Sequence, residues 1–312
     1  MTMTPLSENL RGILLPATTP FNPDSSLDKQ SLASNLSQWN KTGISGYAML
    51  GSTGERMHLD EREFVAVVEQ ARFVVPGNMA FIVGAGQQST RVTINEINTA
   101  ANIGADAVLV ITPFFYRTAI TQQTLIDYYT AVADGSSVPV LLYSMPALTG
   151  VKIEPETIAR LAVHQNIIGA KDSSNDIAGF RKTVELCPPD FALMTGNGTV
   201  LLDALKAGAT GGILAVGCAV PEVCVEVLRT FRANEVERAE GLQTKLTPFA
   251  AAVTTKYGIG GLKAALDMRG YVGGAVRAPL SGPSDEARAE IKELLTEASA
   301  ELETIPTTHI DA

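Results

Sequence analysis

Short apolar runs alternate with longer amphipathic segments over most of the chain. The runs fall at residues 12–15, 46–50, 80–83, 107–111, 138–143, a stretch ending at Lys171, 191–194 and 212–216. Each is followed by a segment whose apolar residues recur at helical spacing: 28–41, 60–73, 89–103, 122–134, 154–164, 177–186, 199–207 and 221–233. Runs that stay apolar without alternating belong to strands covered on both faces, and the helices between them supply the cover. Eight such units in roughly 220 residues predict an α/β fold, a (β/α)8 TIM barrel; an open doubly wound sheet would need fewer strands.

Beyond Ala233 the strand pattern stops. Residues 235–255, 261–269 and 285–303 read as helices with Gly and Pro punctuation between them. The predicted organisation is a catalytic barrel over residues 1–233 and a C-terminal helical appendage over 234–312, with residues 305–312 frayed.

The 312 residues suffice for a sizeable core, and 46% hydrophobic with 18% charged residues describes an ordinary globular chain. A net charge of −9 argues against a nucleic-acid or anionic-membrane partner, either of which wants a basic stripe. Cys187, Cys218 and Cys224 lack metal or redox spacing, and the last two sit in apolar surroundings as expected of buried thiols in a reducing compartment. The start of the chain shows no basic stretch leading into an apolar core, and no apolar run approaches the ~20 residues of a membrane helix. These features predict a soluble, cytoplasmic protein.

In a barrel the working side chains stand on strand ends and loops at the C-terminal face. The sixth run, Ile167-Ile168-Gly169-Ala170-Lys171, places one lysine at such an end, followed at once by Asp172, Ser173 and Ser174. Apolar surroundings disfavour the ammonium form of an amine, and a neutral amine attacks a ketone to form a Schiff base. A strand-end lysine paired with Asp172 or with solvent fits the same residues. Tyr143 ends the fifth strand, hence at the same rim as Lys171, where a phenol can pass protons to and from a substrate; a packing role fits it too. After the second strand, Gly51-Ser52-Thr53-Gly54-Glu55 combines backbone access with two hydroxyls at a helix entrance, which suits a carboxylate or, equally, a capping turn. Thr195-Gly196-Asn197-Gly198 and Gly211-Gly212 are further open turns. Thr112-Pro113-Phe114-Phe115-Tyr116 offers aromatics for an interface or a lid.

Other chemistries lack their residues. His58, His164 and His309 have no metal-ligand spacing, so no metal site is expected. Gly84-Ala85-Gly86 lacks the third glycine of a dinucleotide loop, and neither a Gly-x-x-x-x-Gly-Lys-Ser/Thr nor a Gly-x-Ser-x-Gly motif occurs. A cofactor-free mechanism based on lysine remains.

Taken together, Gly51-Ser52-Thr53-Gly54-Glu55, Thr112-Pro113-Phe114, Tyr143-Ser144-x-Pro146-x-x-Thr149-Gly150, Gly169-x-Lys171-Asp172-Ser173 and Gly261-Leu262-Lys263 resemble the dihydrodipicolinate synthase / N-acetylneuraminate lyase family of class I pyruvate aldolases. The resemblance covers nearly the whole chain. It implies a (β/α)8 barrel with a C-terminal helical domain, a homotetramer built as a dimer of dimers, and a lyase acting on a 2-oxo acid such as pyruvate. It also implies that Lys171 carries the covalent imine, that Tyr143 shuttles protons, and that Ser52 and Thr53 hold the carboxylate, with Thr53 in the relay. Ser173, Gly196 and Leu214 complete the expected substrate-binding set, and Phe115 and Tyr116 the interface or lid.

Two positions depart from the synthases of that family. Where those carry an arginine for the second substrate's carboxylate stands Leu148, and the relay tyrosine lent across the dimer falls at Phe115, leaving Tyr116 as the nearest hydroxyl. In detail, residues 143–150, 166–173 and 251–259, with Gly270-Tyr271-x-Gly273-Gly274 and Arg277-Ala278-Pro279-Leu280, resemble 4-hydroxy-2-oxoglutarate aldolase most closely. The resemblance therefore implies cleavage of 4-hydroxy-2-oxoglutarate to pyruvate and glyoxylate. A 2-keto-3-deoxy sugar acid aldolase, a synthase condensing pyruvate with aspartate semialdehyde, and a non-catalytic 2-oxo-acid binding protein are the alternatives.

Overall fold

A computed structural model describes residues 5–300; the expected fraying of residues 305–312 lies outside them. Eight strands, β1 (Ile13–Leu15), β2 (Gly46–Met49), β3 (Ala80–Ala85), β4 (Ala107–Ile111), β5 (Val140–Ser144), β6 (Ile167–Asp172), β7 (Ala192–Thr195) and β8 (Gly211–Ile213), close in sequence order into a barrel. Every neighbouring pair is parallel, and β1 closes the ring by pairing Ile13 with Gly212 and Leu14 with Ile213. The chain is thus a TIM barrel, as its hydrophobic pattern predicts.

Strand side chains alternate between two faces, and both faces are apolar here. Leu14, Ile82, Leu109, Leu141, Met194 and Ile213 fill the barrel interior. Leu15, Tyr47, Phe81, Val83, Val110 and Leu142 point outward into a second, larger core beneath the helices. A short helix α1 (Pro5–Asn9) precedes β1, and Leu6 and Leu10 pack into the interior cluster from the N-terminal end of the barrel.

The connecting helices are α2 (Lys29–Trp39), α3 (Glu61–Val74), α4 (Thr90–Ile103), α5 (Gln122–Gly135), a single turn α6 (Pro146–Thr149), α7 (Pro155–Leu161), α8 (Ile177–Leu186), α9 (Leu201–Lys206) and α10 (Pro221–Arg232). Several start where polar caps stand in the sequence. Asp60 and Glu63 form a reciprocal capping box on α3, and Asp28, Thr121 and Asp176 cap α2, α5 and α8. Trp39 is fully buried at the end of α2, and its Nε1 donates to the Cys218 carbonyl at 2.9 Å, tying that helix to the turn after β8.

Two elements differ from the sequence reading. The eighth apolar run, 212–216, is strand only to Ile213; Ala215–Cys218 turns into a tight helical turn. Val216 and Cys218 are buried as fully as strand residues, and hydrophobicity does not separate a buried turn from a buried strand. The helix expected over 235–255 is α11 (Val236–Ala251), which widens into a five-residue π turn at Ala252–Lys256 just beyond Pro248.

Helices α12 (Gly258–Met268) and α13 (Asp285–Ser299) follow. Leu246, Phe249, Leu262, Leu266, Ile291 and Leu295 join the same apolar layer that lies between barrel and helices, so the C-terminal helices share one core with the barrel. Among the described residues no helix is long and apolar enough to cross a membrane.

Candidate active site

The register of β5 against β6 sets Tyr143 directly beside Lys171 at the C-terminal end of the barrel. Both are nearly buried, Lys171 at 5% exposure and Tyr143 at 4%. The Lys171 amine lies 4.5 Å from the centre of the Tyr143 ring. Asp172, the next residue, faces the other side of the sheet, where its carboxylate accepts from the Ser174 N–H at 2.7 Å. Burial raises the Asp172 pKa above the usual carboxylate value, with the Ser174 hydrogen bonds pulling it back.

The hydroxyl that faces the phenol is that of Ser52, 3.5 Å from the Tyr143 oxygen. Ser52 begins a tight turn, Ser52–Gly54, in which Gly54 N–H donates to Gly51 and Glu55 N–H to Ser52. The Thr19 hydroxyl, on the loop after β1, donates to the Gly54 carbonyl at 2.7 Å and holds the turn from below. Thr53 is half-buried next on that turn. The first N–H groups of a helical turn have no partner within it, so this element presents donors as well as two hydroxyls.

On the other side of the lysine, Ser173 N–H donates to the Ser144 carbonyl at 3.0 Å and Gly196 N–H to the Asp172 carbonyl at 2.6 Å. At Gly196 the Ser173 and Lys171 side chains crowd the space that a Cβ would take. A Cβ at this position would stand 1.9 Å from the Ser173 hydroxyl oxygen and 2.5 Å from Cε of Lys171. Ser173 and Gly196 are therefore packed against the lysine stem. Leu214 is fully buried in the outer apolar layer, which leaves its main chain, not its side chain, for any contact inside the barrel.

A cavity of about 260 Å³ opens from Tyr143 and Ser52. Its walls are mostly apolar, with Phe114 and Leu148 on the barrel loops and Ile259 and Leu280 from the C-terminal region. Arg56 and His58 are its basic residues. Arg56 is engaged by Glu96 in a buried ion pair, and its guanidinium lies 4.7 Å from the centre of the Phe64 ring. Phe115 and Tyr116 are 71% and 69% exposed and form an edge-to-face pair with centroids 5.0 Å apart, held where Gln88 accepts from the Phe114 and Phe115 N–H groups. A larger hollow of about 660 Å³ lies at the opposite end of the barrel beside α1 and contains none of the site residues.

Sequence reasoning did not single out the far wall of the cavity, and it left Glu55 as either a capping carboxylate or a buried partner; Glu55 is buried behind the turn. Glu55 adopts a left-handed conformation, φ 54°, and its carboxylate forms an ion pair with Lys263 of α12 at 2.6 Å. Both residues stood inside motifs visible in the sequence, but spacing says nothing about a contact between distant segments.

The chain matches the Dihydrodipicolinate synthetase family over residues 9–298. It is 34% identical over 290 residues to a 4-hydroxy-tetrahydrodipicolinate synthase of Methanothrix thermoacetophila, a match spanning 93% of this chain and 97% of that one. It is 33% identical over 298 residues to a probable mitochondrial 4-hydroxy-2-oxoglutarate aldolase of Emericella nidulans, covering 94% and 96% of the two chains. Among solved structures, a prophage protein of the dihydrodipicolinic acid synthase family from E. coli K12, in complex with pyruvate, superposes with a TM-score of 0.86 at 31% identity, over 92% of this chain and 98% of that chain. A closed parallel barrel, a lysine and a tyrosine paired at its C-terminal rim, and a family match over almost the full length lead to one conclusion: the chain belongs to the dihydrodipicolinate synthetase family of pyruvate-dependent class I aldolases and is a lyase.

Proposed function

We propose that this lyase works through a Schiff base on Lys171 and cleaves 4-hydroxy-2-oxoglutarate to pyruvate and glyoxylate. The observation that carries the reading is the pairing of a nearly buried Lys171 with Tyr143 on adjacent strands, the phenol in turn facing Ser52. The neutral amine adds to the C2 ketone; Tyr143 gives its proton to the departing hydroxide, which leaves as water, so a protonated imine forms as the electron sink beside a Tyr143 phenolate, and the reaction needs no cofactor. Ser52 and Thr53 hold the C1 carboxylate, and Ser173 and Gly196 bound the imine side.

Tyr143, relayed through the Ser52–Thr53 turn, takes the proton of the C4 hydroxyl as the C3–C4 bond breaks. The bonding electrons flow into the imine, the aldehyde leaves, and an enamine of pyruvate remains. Tyr143 returns the proton to C3, and water hydrolyses the imine, releasing pyruvate and the free Lys171 amine. Phe115 and Tyr116 cover the mouth as a lid or subunit contact. Leu148 offers no cation for a second carboxylate of aspartate semialdehyde, which favours the aldolase over the condensing synthase named among the relatives.

Pyruvate release from 4-hydroxy-2-oxoglutarate, read with lactate dehydrogenase and NADH, tests the substrate. The expected ranking puts it above 2-keto-3-deoxy sugar acids. Faster condensation of pyruvate with aspartate semialdehyde would select the synthase, and pyruvate binding with no product from any substrate would select a binding protein.

Tyr143→Phe should lower turnover by about 10²–10³-fold, the scale of a lost proton shuttle, while imine formation with pyruvate persists. Unchanged turnover would remove the tyrosine from the mechanism. We also propose a homotetramer, for which sedimentation should show a single tetrameric species and a monomer would contradict it. A cytoplasmic setting keeps the three free thiols, Cys187, Cys218 and Cys224, reduced; localisation of a tagged full-length chain outside the cytoplasm would contradict that placement.

A further inference from the structure

We infer that Lys263, on α12, is a positioning residue for substrate: through Glu55 it fixes the turn that presents Ser52 and Thr53 to the 2-oxo acid. The inference rests on the Schiff-base reading above and adds a residue to it that acts through another.

The Lys263 ammonium is enclosed. It donates to the Thr19 carbonyl at 2.7 Å and the Ala275 carbonyl at 2.6 Å, and forms an ion pair with a Glu55 carboxylate oxygen at 2.6 Å. It also lies 4.6 Å from the centre of the Phe21 ring. The Glu55 side chain is fully buried, and its second oxygen accepts from the Arg277 N–H and meets Nδ1 of His58, each at 3.1 Å. The Glu55 oxygen facing Lys263 has no hydrogen-bond donor, so the ammonium charge beside it is what offsets its burial.

The geometry runs from this pair to the site in two steps. Glu55 closes the Ser52–Gly54 turn, donating its N–H to the Ser52 carbonyl, and does so in a left-handed conformation that a non-glycine residue adopts only when its surroundings hold it there. Lys263 supplies that hold and, through the Thr19 carbonyl, grips the same loop whose Thr19 hydroxyl supports Gly54. Removing the ammonium leaves a carboxylate buried without its counter-charge, which relieves itself by moving out or drawing in water. Either movement releases the turn, and Ser52 leaves Tyr143.

A purely structural ion pair would lower stability and leave substrate affinity of the folded enzyme unchanged. The experiment is therefore reductive trapping of pyruvate with borohydride across a range of pyruvate concentrations, on full-length protein shown to be folded by its thermal transition. Wild type, Lys263→Met, Glu55→Gln and the double variant are compared. For each single variant the half-saturating pyruvate concentration should rise about tenfold or more, with the trapping rate at saturation changed far less. In the double variant, which buries no unpaired charge, the rise should be smaller than the product of the two single effects.

An unchanged half-saturation in folded Lys263→Met overturns the inference. If that variant does not fold, an unchanged half-saturation in Glu55→Gln does so. A wild type that gives no adduct at any pyruvate concentration removes the Schiff-base reading and the inference with it, whereas a wild-type adduct with unshifted variants removes the inference alone.

Discussion

Lys171→Ala is expected to abolish turnover, lowering kcat by roughly 10⁴-fold or more, because no other group can form the covalent intermediate. Lys171 is held between the Tyr143 ring and the backbone at Gly196, and among the described residues no second lysine stands beside Tyr143 to take over. Among the described residues the only other lysine buried this deeply, Lys263, donates to the Thr19 and Ala275 carbonyls and is ion-paired with Glu55. Removing a buried amine also removes a desolvated group, so the variant should remain folded, and an unchanged thermal transition beside lost pyruvate release separates chemistry from unfolding. Turnover within tenfold of wild type would exclude Lys171 as the nucleophile.

Gly196→Ala should be the second most damaging change, although it adds only one methyl group. The new Cβ would overlap the Ser173 hydroxyl and Cε of the lysine, at 1.9 and 2.5 Å, distances that force both side chains to move. A displacement of the nucleophile of about 1 Å costs about 10²-fold in rate, since the attack geometry on the ketone is lost. The effect should fall on the rate of imine formation. Gly241→Ala on α11 is the control, because a Cβ there meets nothing within 4 Å, and its turnover should match wild type. Equal rates for Gly196→Ala and Gly241→Ala would show that the lysine is not held by this contact.

The barrel is legible in the chain because its strands are apolar on both faces and several are followed by a polar cap that starts a helix, as with Asp60 before α3 and Asp176 before α8. The end of β8 is not legible. Ile213, Val216 and Cys218 are equally buried, and burial sets hydrophobicity whatever the backbone does. The same applies to Leu214, whose place beside Gly212 in the sequence does not reveal that its side chain joins the outer layer.

At the site, Lys171 and Tyr143 stand out because strand order alone makes their strands neighbours. Which hydroxyl of Ser52 and Thr53 faces the phenol depends on the dihedrals of a three-residue turn, beyond the reach of a motif. The Glu55–Lys263 pair and the cavity wall at Ile259 and Leu280 depend on how the C-terminal helices dock, and helical spacing gives the helix without its partner.

The central claim is that a covalent imine forms on one lysine. Incubation of the full-length protein with pyruvate and borohydride, followed by intact-mass measurement and peptide mapping, tests it directly. One reduced pyruvate adduct per chain is predicted, confined to the peptide that carries Lys171 and absent from Lys171→Ala. No mass increase, or an adduct that maps to a different lysine, would contradict it.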